Sequence, residues 1–150
     1  MQLKYSNYKI STRQKAQQEI WDIIRRKWIV LTPEEWVRQH FIHYLITEKQ
    51  VPSTLISVEK KVILNKLTKR MDIVLYNRNG NPYMIVECKR DSIALSTAVF
   101  QQAAVYNLPL KVSYLAITNG IEVLSAEINH EKHSFELIDG LPDLSSLIEN

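Results

Sequence analysis

Cysteine and glycine are both scarce in this chain. Its 150 residues include one cysteine, Cys88, and three glycines, Gly80, Gly120 and Gly140. A single cysteine excludes an internal disulfide framework and reads as an intracellular, cytoplasmic chain. Three isolated glycines leave no phosphate-cradling loop, which excludes an ATP-driven motor and a bound nucleotide cofactor. Long hydrophobic runs are missing too. Nothing approaches the roughly 18 apolar residues of a membrane span, and the opening M-Q-L-K-Y-S-N-Y-K-I lacks the apolar core of a signal peptide, so no membrane partner is expected. Repeats and low-complexity tracts are absent, against a solenoid or a disordered tail. Charge of one sign is also in short supply: 19 Lys and Arg face 16 Asp and Glu, for a net charge of +3. That balance permits a polyanionic partner but is too small to argue for one, so nucleic-acid binding has to be argued from a site.

What is present suffices for one domain, which at this length buries about 70% of its unfolded surface. Residues 1–19 are polar and aperiodic and read as an N-terminal arm that turns helical near its end, followed by a single domain over 20–150. Residues 20–31 read as an extended entry segment. Thr32-Pro33-Glu34-Glu35 then opens a helix, with Thr32 as N-cap, Pro33 at the first helical position and Glu35 closing a capping box. Val37, Phe41, Tyr44 and Leu45 follow at helical spacing, to about Thr47. A strand over 55–64 precedes two more strands at 70–76 and 83–89. Ser92 can cap a second helix to about Asn107, with the stripe Leu95, Val99, Gln102 and Tyr106. Strands near 113–118, 121–128 and 134–138 and a short closing helix over 141–149 complete the chain. The class is α/β (α+β), a mixed central β-sheet flanked by helices, with a parallel crossover between the strands on either side of the second helix.

The most informative pair is Asp72 and Glu87. Their strands, R-M-D-I-V-L-Y and Y-M-I-V-E-C-K, flank N-R-N-G-N, and Asn79-Gly80 is a two-residue hairpin signal. With those two residues as the turn, opposed positions are those whose numbers sum to 159, which is true of 72 and 87. Facing carboxylates with Cβ atoms about 4.5–5.5 Å apart repel, and a hard divalent cation between them is the usual reason to tolerate the arrangement. Lys89 shares the face of Glu87. A three-residue loop would shift the register by one and separate the acids. The apolar pattern favours the two-residue turn, since Met71, Ile73 and Leu75 then share a face with Met84, Val86 and Cys88.

Asp72, Glu87-Cys88-Lys89 and a downstream Gln102-Ala-Ala-Val-Tyr106 together resemble the PD-(D/E)xK nuclease superfamily, with its restriction-endonuclease-like fold. The likeness is greatest to the N-terminal nuclease domain of type I restriction enzyme R subunits, and adds T-P-E-E-W-V-R-Q at 32–39 and T-N-G at 118–120. It covers about residues 20–125. The resemblance implies Mg²⁺, with Mn²⁺ as a substitute, held by Asp72, Glu87 and the Cys88 backbone carbonyl. Lys89 would orient the attacking water or stabilise developing charge, and Gln102 and Tyr106 would help position phosphate or Lys89. For Glu35 the capping box and a carboxylate near the metal both stand.

Each residue also has a plainer reading. Asp72 alone could be a solvent-facing strand residue, Glu87 with Lys89 an ordinary ion pair, and Gln102 and Tyr106 a core-edge amide and a packed aromatic. Arg70, Arg90 and Arg38 could contact phosphate or simply be solvated. Cys88 reads as a small buried side chain. His40 with His43, and His130 with His133, have zinc-like spacings but no cysteine cluster to support them. The expected function is Mg²⁺-dependent hydrolysis of DNA phosphodiesters by a small standalone domain, in a restriction or other defence setting, with a homodimer or a restriction-system partner subunit plausible. The alternative is a catalytically inactive nucleic-acid-binding, regulatory or assembly subunit of the same fold.

Overall fold

Thr32 and Pro33 begin the first helix as their chemistry dictates: the Thr32 hydroxyl accepts from the Glu35 N–H at 3.1 Å, and α1 runs Pro33–Thr47. The computed structural model describes residues 8–64, 66–107 and 111–149, the side chains of residues 64, 106 and 107 excepted. Ahead of α1 lies a three-stranded antiparallel sheet, β1 (Thr12–Gln14), β2 (Gln18–Asp22) and β3 (Lys27–Val30). The helical turn expected near residue 19 is therefore corrected to strand. Alternation explains it, since Ile20 and Asp22 on β2 are buried while Glu19 and Trp21 are only partly covered, and Trp21 packs edge-on against its cross-strand partner Trp28.

The larger sheet has six strands in sequence order: β4 (Ile56–Leu64), β5 (Leu67–Tyr76), β6 (Pro82–Cys88), β7 (Tyr114–Thr118), β8 (Val123–Asn129) and β9 (Ser134–Ile138). Only β6 and β7 are parallel, and α2 (Thr97–Asn107) makes the crossover. A short α3 (Ser145–Ile148) follows. The result is an α+β fold with a mixed sheet, consistent with a restriction-endonuclease-like core. The expected single sheet becomes two because the entry segment pairs with itself. No helix among the described residues is long and apolar enough to cross a membrane.

Two apolar clusters flank the six-stranded sheet. One joins Val37, Phe41, Ile42 and Leu45 of α1 to Ile73, Leu75, Met84, Val86 and Cys88. The other joins Phe100, Ala103 and Ala104 of α2 to Met71, Val74, Ile85, Leu115 and Ile117. Residues 73–75 and 84–86 alternate strictly between the clusters, as strand geometry requires. Met71 breaks the alternation by joining the α2 cluster, so the expectation that it shares a face with Ile73 and Leu75 is corrected. The break falls at Asp72, opposite Glu59, which sits in β4 at φ +55°.

The hairpin between β5 and β6 reaches its register by an unexpected route. Gly80 N–H donates to Asn77 O at 3.0 Å, Asn77 N–H donates to Asn81 O at 2.8 Å, and Gly80 alone in the turn has positive φ, +82°. A type I′ turn would need positive φ at Asn79 as well. The loop thus has three residues, and Tyr76 pairs with Pro82. One extra residue on β6, Tyr83, then restores the phase, so that Leu75 faces Met84 and Ile73 faces Val86. The register that aligns position 72 with position 87 is kept by a bulge, not by a two-residue turn.

Candidate active site

Helix α1 presents Glu35 and Arg38 one turn apart, and both are buried. The capping box is only half built. Thr32 caps the backbone, but the Glu35 carboxylate turns inward instead of back to the N-cap. Its Oε1 accepts from Arg25 Nη2 at 3.0 Å and Gln39 Nε2 at 2.9 Å, and its Oε2 meets Arg38 Nη1 at 2.9 Å. Three charged or amide donors outcompete one backbone N–H that solvent can satisfy.

Arg38 reaches across to the sheet. Its Nη2 lies 2.6 Å from Glu59 Oε1 and 2.9 Å from Asp72 Oδ1, and its side chain is 7% exposed. Read from sequence as a phosphate contact or a solvated charge, Arg38 is instead the internal counter-ion of three carboxylates. Their attraction outweighs the cost of burial and raises its pKa further. Glu59 occupies the left-handed backbone region, which costs a side-chain-bearing residue about 1–2 kcal/mol. Its ion pairs to Arg38 and, at 3.4 Å, to Arg70 Nη1 offset that strain.

Asp72 sits where the β5–β6 ladder gives way. The last registered pair is Ile73 with Val86. Beyond it, Asp72 Oδ2 accepts the Cys88 N–H at 2.8 Å while Oδ1 holds Arg38. Burial raises the Asp72 pKa, and the charges of Glu87 and Glu59 push the same way. The Cys88 N–H and Arg38 oppose them without cancelling the rise. Glu87 adjoins through its sequence neighbour. Its Oε1 accepts from Lys89 Nζ at 3.0 Å, whereas its Oε2 is buried and has no hydrogen-bond partner among the described residues.

A chain of alternating charges extends from this cluster into the three-stranded sheet. Asp22, fully buried, accepts from the N–H groups of Ile24 and Arg25, both at 2.8 Å, and from Arg25 Nε at 2.6 Å. Arg25 continues to Glu35, Glu35 to Arg38, and Arg38 to Asp72. Burial alone would raise the Asp22 pKa, but the hydrogen bonds from Arg25 outweigh it and hold the carboxyl below its ordinary range.

Of the other candidates, Gln102 is exposed on α2 and shares no hydrogen bond with Asp72, Glu87 or Lys89 among the described residues. The expected stripe is corrected in part: Leu95 and Val99 do pack against the core, but α2 is fully buried through Phe100, Ala103 and Ala104, where two small side chains let the helix approach the sheet. The helix also starts later than expected, at Thr97, with the Ser96 Oγ accepting from Val99 N–H. Residues before it form a loop tied down by Asn119 Nδ2 donating to Ile93 O at 2.9 Å. The Tyr106 side chain lies outside the described residues. Arg70 and Arg90 are exposed at the margin, paired with Glu59 and Glu34. Cys88 is buried, and burial pushes its thiol well up, as suits a packed side chain. His40 stacks on Trp36 with ring centroids 3.8 Å apart.

Sequence reasoning missed Glu59, Arg25 and Asp22. Glu59 had a usable signal, since Leu64 pairs with Leu67 and the same register brings 59 opposite 72. Arg25 had none, because Glu35 comes from another element; Asp22 had a local one, since an aspartate that accepts the N–H groups two and three residues ahead makes an Asx turn.

The donor set is oxygen-rich and hard. Among the described residues no group of three or more His, Cys, Asp or Glu side chains is gathered tightly enough to hold a metal ion. Mg²⁺ does not need one, because it keeps several waters and commonly takes one or two carboxylates. A buried oxygen of Glu87 without a donor, beside a carboxyl that burial and like charges disfavour, fits that demand.

A family model described as type I restriction enzyme R protein N terminus matches residues 33–142. That span holds α1, α2 and the six-stranded sheet, and leaves the three-stranded sheet outside. No curated protein matches. Among solved structures, the fragment structure of a putative HsdR subunit of a type I restriction enzyme from Vibrio vulnificus YJ016 is similar at 24% identity and a TM-score of 0.40, covering 61% of this chain and 17% of that one. The chain thus spans about a sixth of that structure's length.

Proposed function

This chain belongs to the type I restriction enzyme R protein N-terminus family, and from that premise we propose that it is a nuclease domain cleaving DNA phosphodiesters with Mg²⁺, for which Mn²⁺ can substitute. The observation that carries the reading is the buried Oε2 of Glu87, without a hydrogen-bond partner among the described residues, on a side chain whose charge acts on Asp72, with the Lys89 ammonium 3.0 Å from the other Glu87 oxygen. Asp72, Glu87 and the Cys88 carbonyl would hold the cation, and Glu35 would bear on it through Arg38. When bound, the cation supplies Lewis-acid polarisation of the scissile phosphate and a more acidic water. The chain's own residues do the rest. Lys89 orients the attacking water and stabilises charge developing on the phosphate. Arg38 and the Cys88 N–H fix the Asp72 carboxylate from two sides, so it does not rotate as substrate binds. Gln102 would aid phosphate positioning once α2 or the substrate brings it closer, and Tyr106 would share that role.

One observation favours a second reading. Arg38 already neutralises Asp72, as it would in a domain of this fold that grips nucleic acid without cutting it. Nicking of supercoiled plasmid with Mg²⁺ or with chelator separates the two. Asp72→Asn and Lys89→Ala are each expected to reduce nicking by about 100-fold or more, a scale typical of a lost transition-state contact. Metal-dependent nicking that survives both substitutions defeats the mechanism, and binding without nicking in the wild type favours the second reading.

A further inference from the structure

We propose that the distal β4–β5 hairpin is a cationic arm that holds the phosphate backbone of a nucleic-acid duplex and leads it to the carboxylate cluster. The inference rests on the nuclease reading for its purpose but on separate residues for its evidence. Strands β4 and β5, with nine and ten residues, are the longest in the chain. From residue 59 to residue 70 no described side chain is buried, whereas Met71, Ile73, Val74 and Leu75 are. At about 3.4 Å per residue, roughly 17 Å of two-stranded ribbon extends past the core.

The charge of the whole chain resides there. Between residues 60 and 70 lie five of the 19 Lys and Arg, namely Lys60, Lys61, Lys66, Lys69 and Arg70, and none of the 16 Asp and Glu. The remaining residues, with 14 cationic against 16 acidic side chains, carry −2, so the net +3 comes entirely from the arm. The cations occupy both faces of the ribbon, Lys61 and Arg70 on one and Lys60 and Lys69 on the other. Lys61 pairs directly across the ladder with Arg70, and like charges in that relation destabilise a sheet. No carboxylate of the described residues forms an ion pair with Lys60, Lys61 or Lys66. A polyanion seated along the arm would relieve this repulsion by displacing condensed counter-ions.

Position gives the arm its use. At its root Arg70 reaches Glu59 and stands two residues from Asp72, so a strand held by the lysines runs towards the site. β4 is an edge strand, and lysines on an edge also block sheet-to-sheet pairing between copies. That alternative predicts self-association when the lysines are neutralised, which makes the two separable.

The test is fluorescence anisotropy with a labelled DNA duplex of about 20 base pairs in chelator, titrated with salt, for wild type and Lys60→Gln/Lys61→Gln/Lys66→Gln. The plot of log affinity against log salt should become shallower by about 2–3 in the triple variant and by about 0.9 in Lys61→Gln alone. At low salt the triple variant should bind at least about tenfold more weakly, with its melting temperature unchanged. An RNA duplex of equal length, run in parallel, separates the two sources of phosphate. An unchanged slope overturns the proposal. So does sedimentation showing that the triple variant self-associates with its slope intact, which assigns the lysines to edge protection. Weakened binding in a protein that never nicks plasmid upholds the arm and defeats the nuclease reading. Intact nicking with unchanged slopes does the reverse.

Discussion

Replacing Arg38 by methionine preserves much of the side chain's volume and removes its charge, leaving Asp72 without its counter-ion and Glu35 and Glu59 with only Arg25 and Arg70. Removing one partner of a buried ion pair costs about 3–5 kcal/mol, because the stranded charge stays desolvated. Glu59 and Asp72 keep side-chain exposures of 22% and 24%. Water access at two of the three acids puts the expected loss near the lower bound, about 3 kcal/mol. For a domain of this size each kcal/mol moves Tm by about 2–4 °C, so Arg38→Met should melt about 6–12 °C below wild type at neutral pH. Asp72 gives the deficit a pH dependence. Its folded pKa lies above the unfolded value, chiefly through burial, so its ionised form opposes folding at neutral pH and that penalty is lost as pH falls through the folded pKa. Without Arg38 the penalty grows, so the gap between variant and wild type should narrow on acidification. Mg²⁺ should also raise the Tm of Arg38→Met more than that of wild type, since the cation would meet an uncompensated Asp72 and two carboxylates that have each lost one partner. Adding Glu35→Gln to Arg38→Met should recover part of the loss. Calorimetric scans across pH and Mg²⁺ concentration check all of this. A deficit under about 1 kcal/mol, or one that widens in acid, refutes Arg38 as the internal counter-ion.

Three further outcomes follow from the same geometry. Asp22, its pKa depressed by Arg25, contributes stability that is complete above the ordinary carboxylate range and is lost as pH falls through the depressed value. Asp22→Asn should therefore lose about 1.5–3 kcal/mol at neutral pH and flatten the acid limb of a urea-midpoint profile, and parallel profiles would contradict this. Gly120→Ala should cost more than Gly80→Ala. Both glycines have positive φ, but a Cβ on Gly120 would come within 3.2 Å of Val37 Cγ2, while one on Gly80 meets nothing within 4 Å. Losses of about 2–3 against about 1 kcal/mol are expected from thermal melts, and the opposite order would show the Val37 contact to be slack. In Lys89→Ala, Glu87 loses its one hydrogen-bonded cation, and Mn²⁺ should stabilise this variant at least as well as wild type in a thermal-shift titration. A smaller shift would mean that Lys89, not the cation, is what Glu87 requires.

Much of the fold was legible because it rests on local chemistry. The Thr32-Pro33 start, the end of α1 at Thr47 and the strands through Asp72 and Glu87 follow from caps and alternation within short windows. The failures are non-local. Residues 12–22 look polar, yet β1 pairs with β2 and β2 with β3 through positions that only the folded chain brings opposite. The α2 stripe was phased on its larger side chains, whereas the sheet receives Ala103 and Ala104. At the site, the Asp72 and Glu87 register was readable, but for the wrong reason. Glu35 was ambiguous because a capping box and an inward-facing carboxylate share one sequence pattern. Only the positions of Arg25 and Arg38 decide between them.

The three-residue loop and the extra Tyr83 are separate devices, so the phase of β6 relative to β5 rests on the pairing of Leu75 with Met84 and not on the number of residues between them. Deleting Tyr83 would close the bulge and leave Leu75 opposite Met84, whereas a deletion that kept both loop and bulge would advance β6 by one, carrying Glu87 to where Val86 now packs and burying a charge in the α1 cluster. Drift in this hairpin's length is therefore confined to steps that the loop or the bulge absorbs above Leu75, however exposed the tip may be.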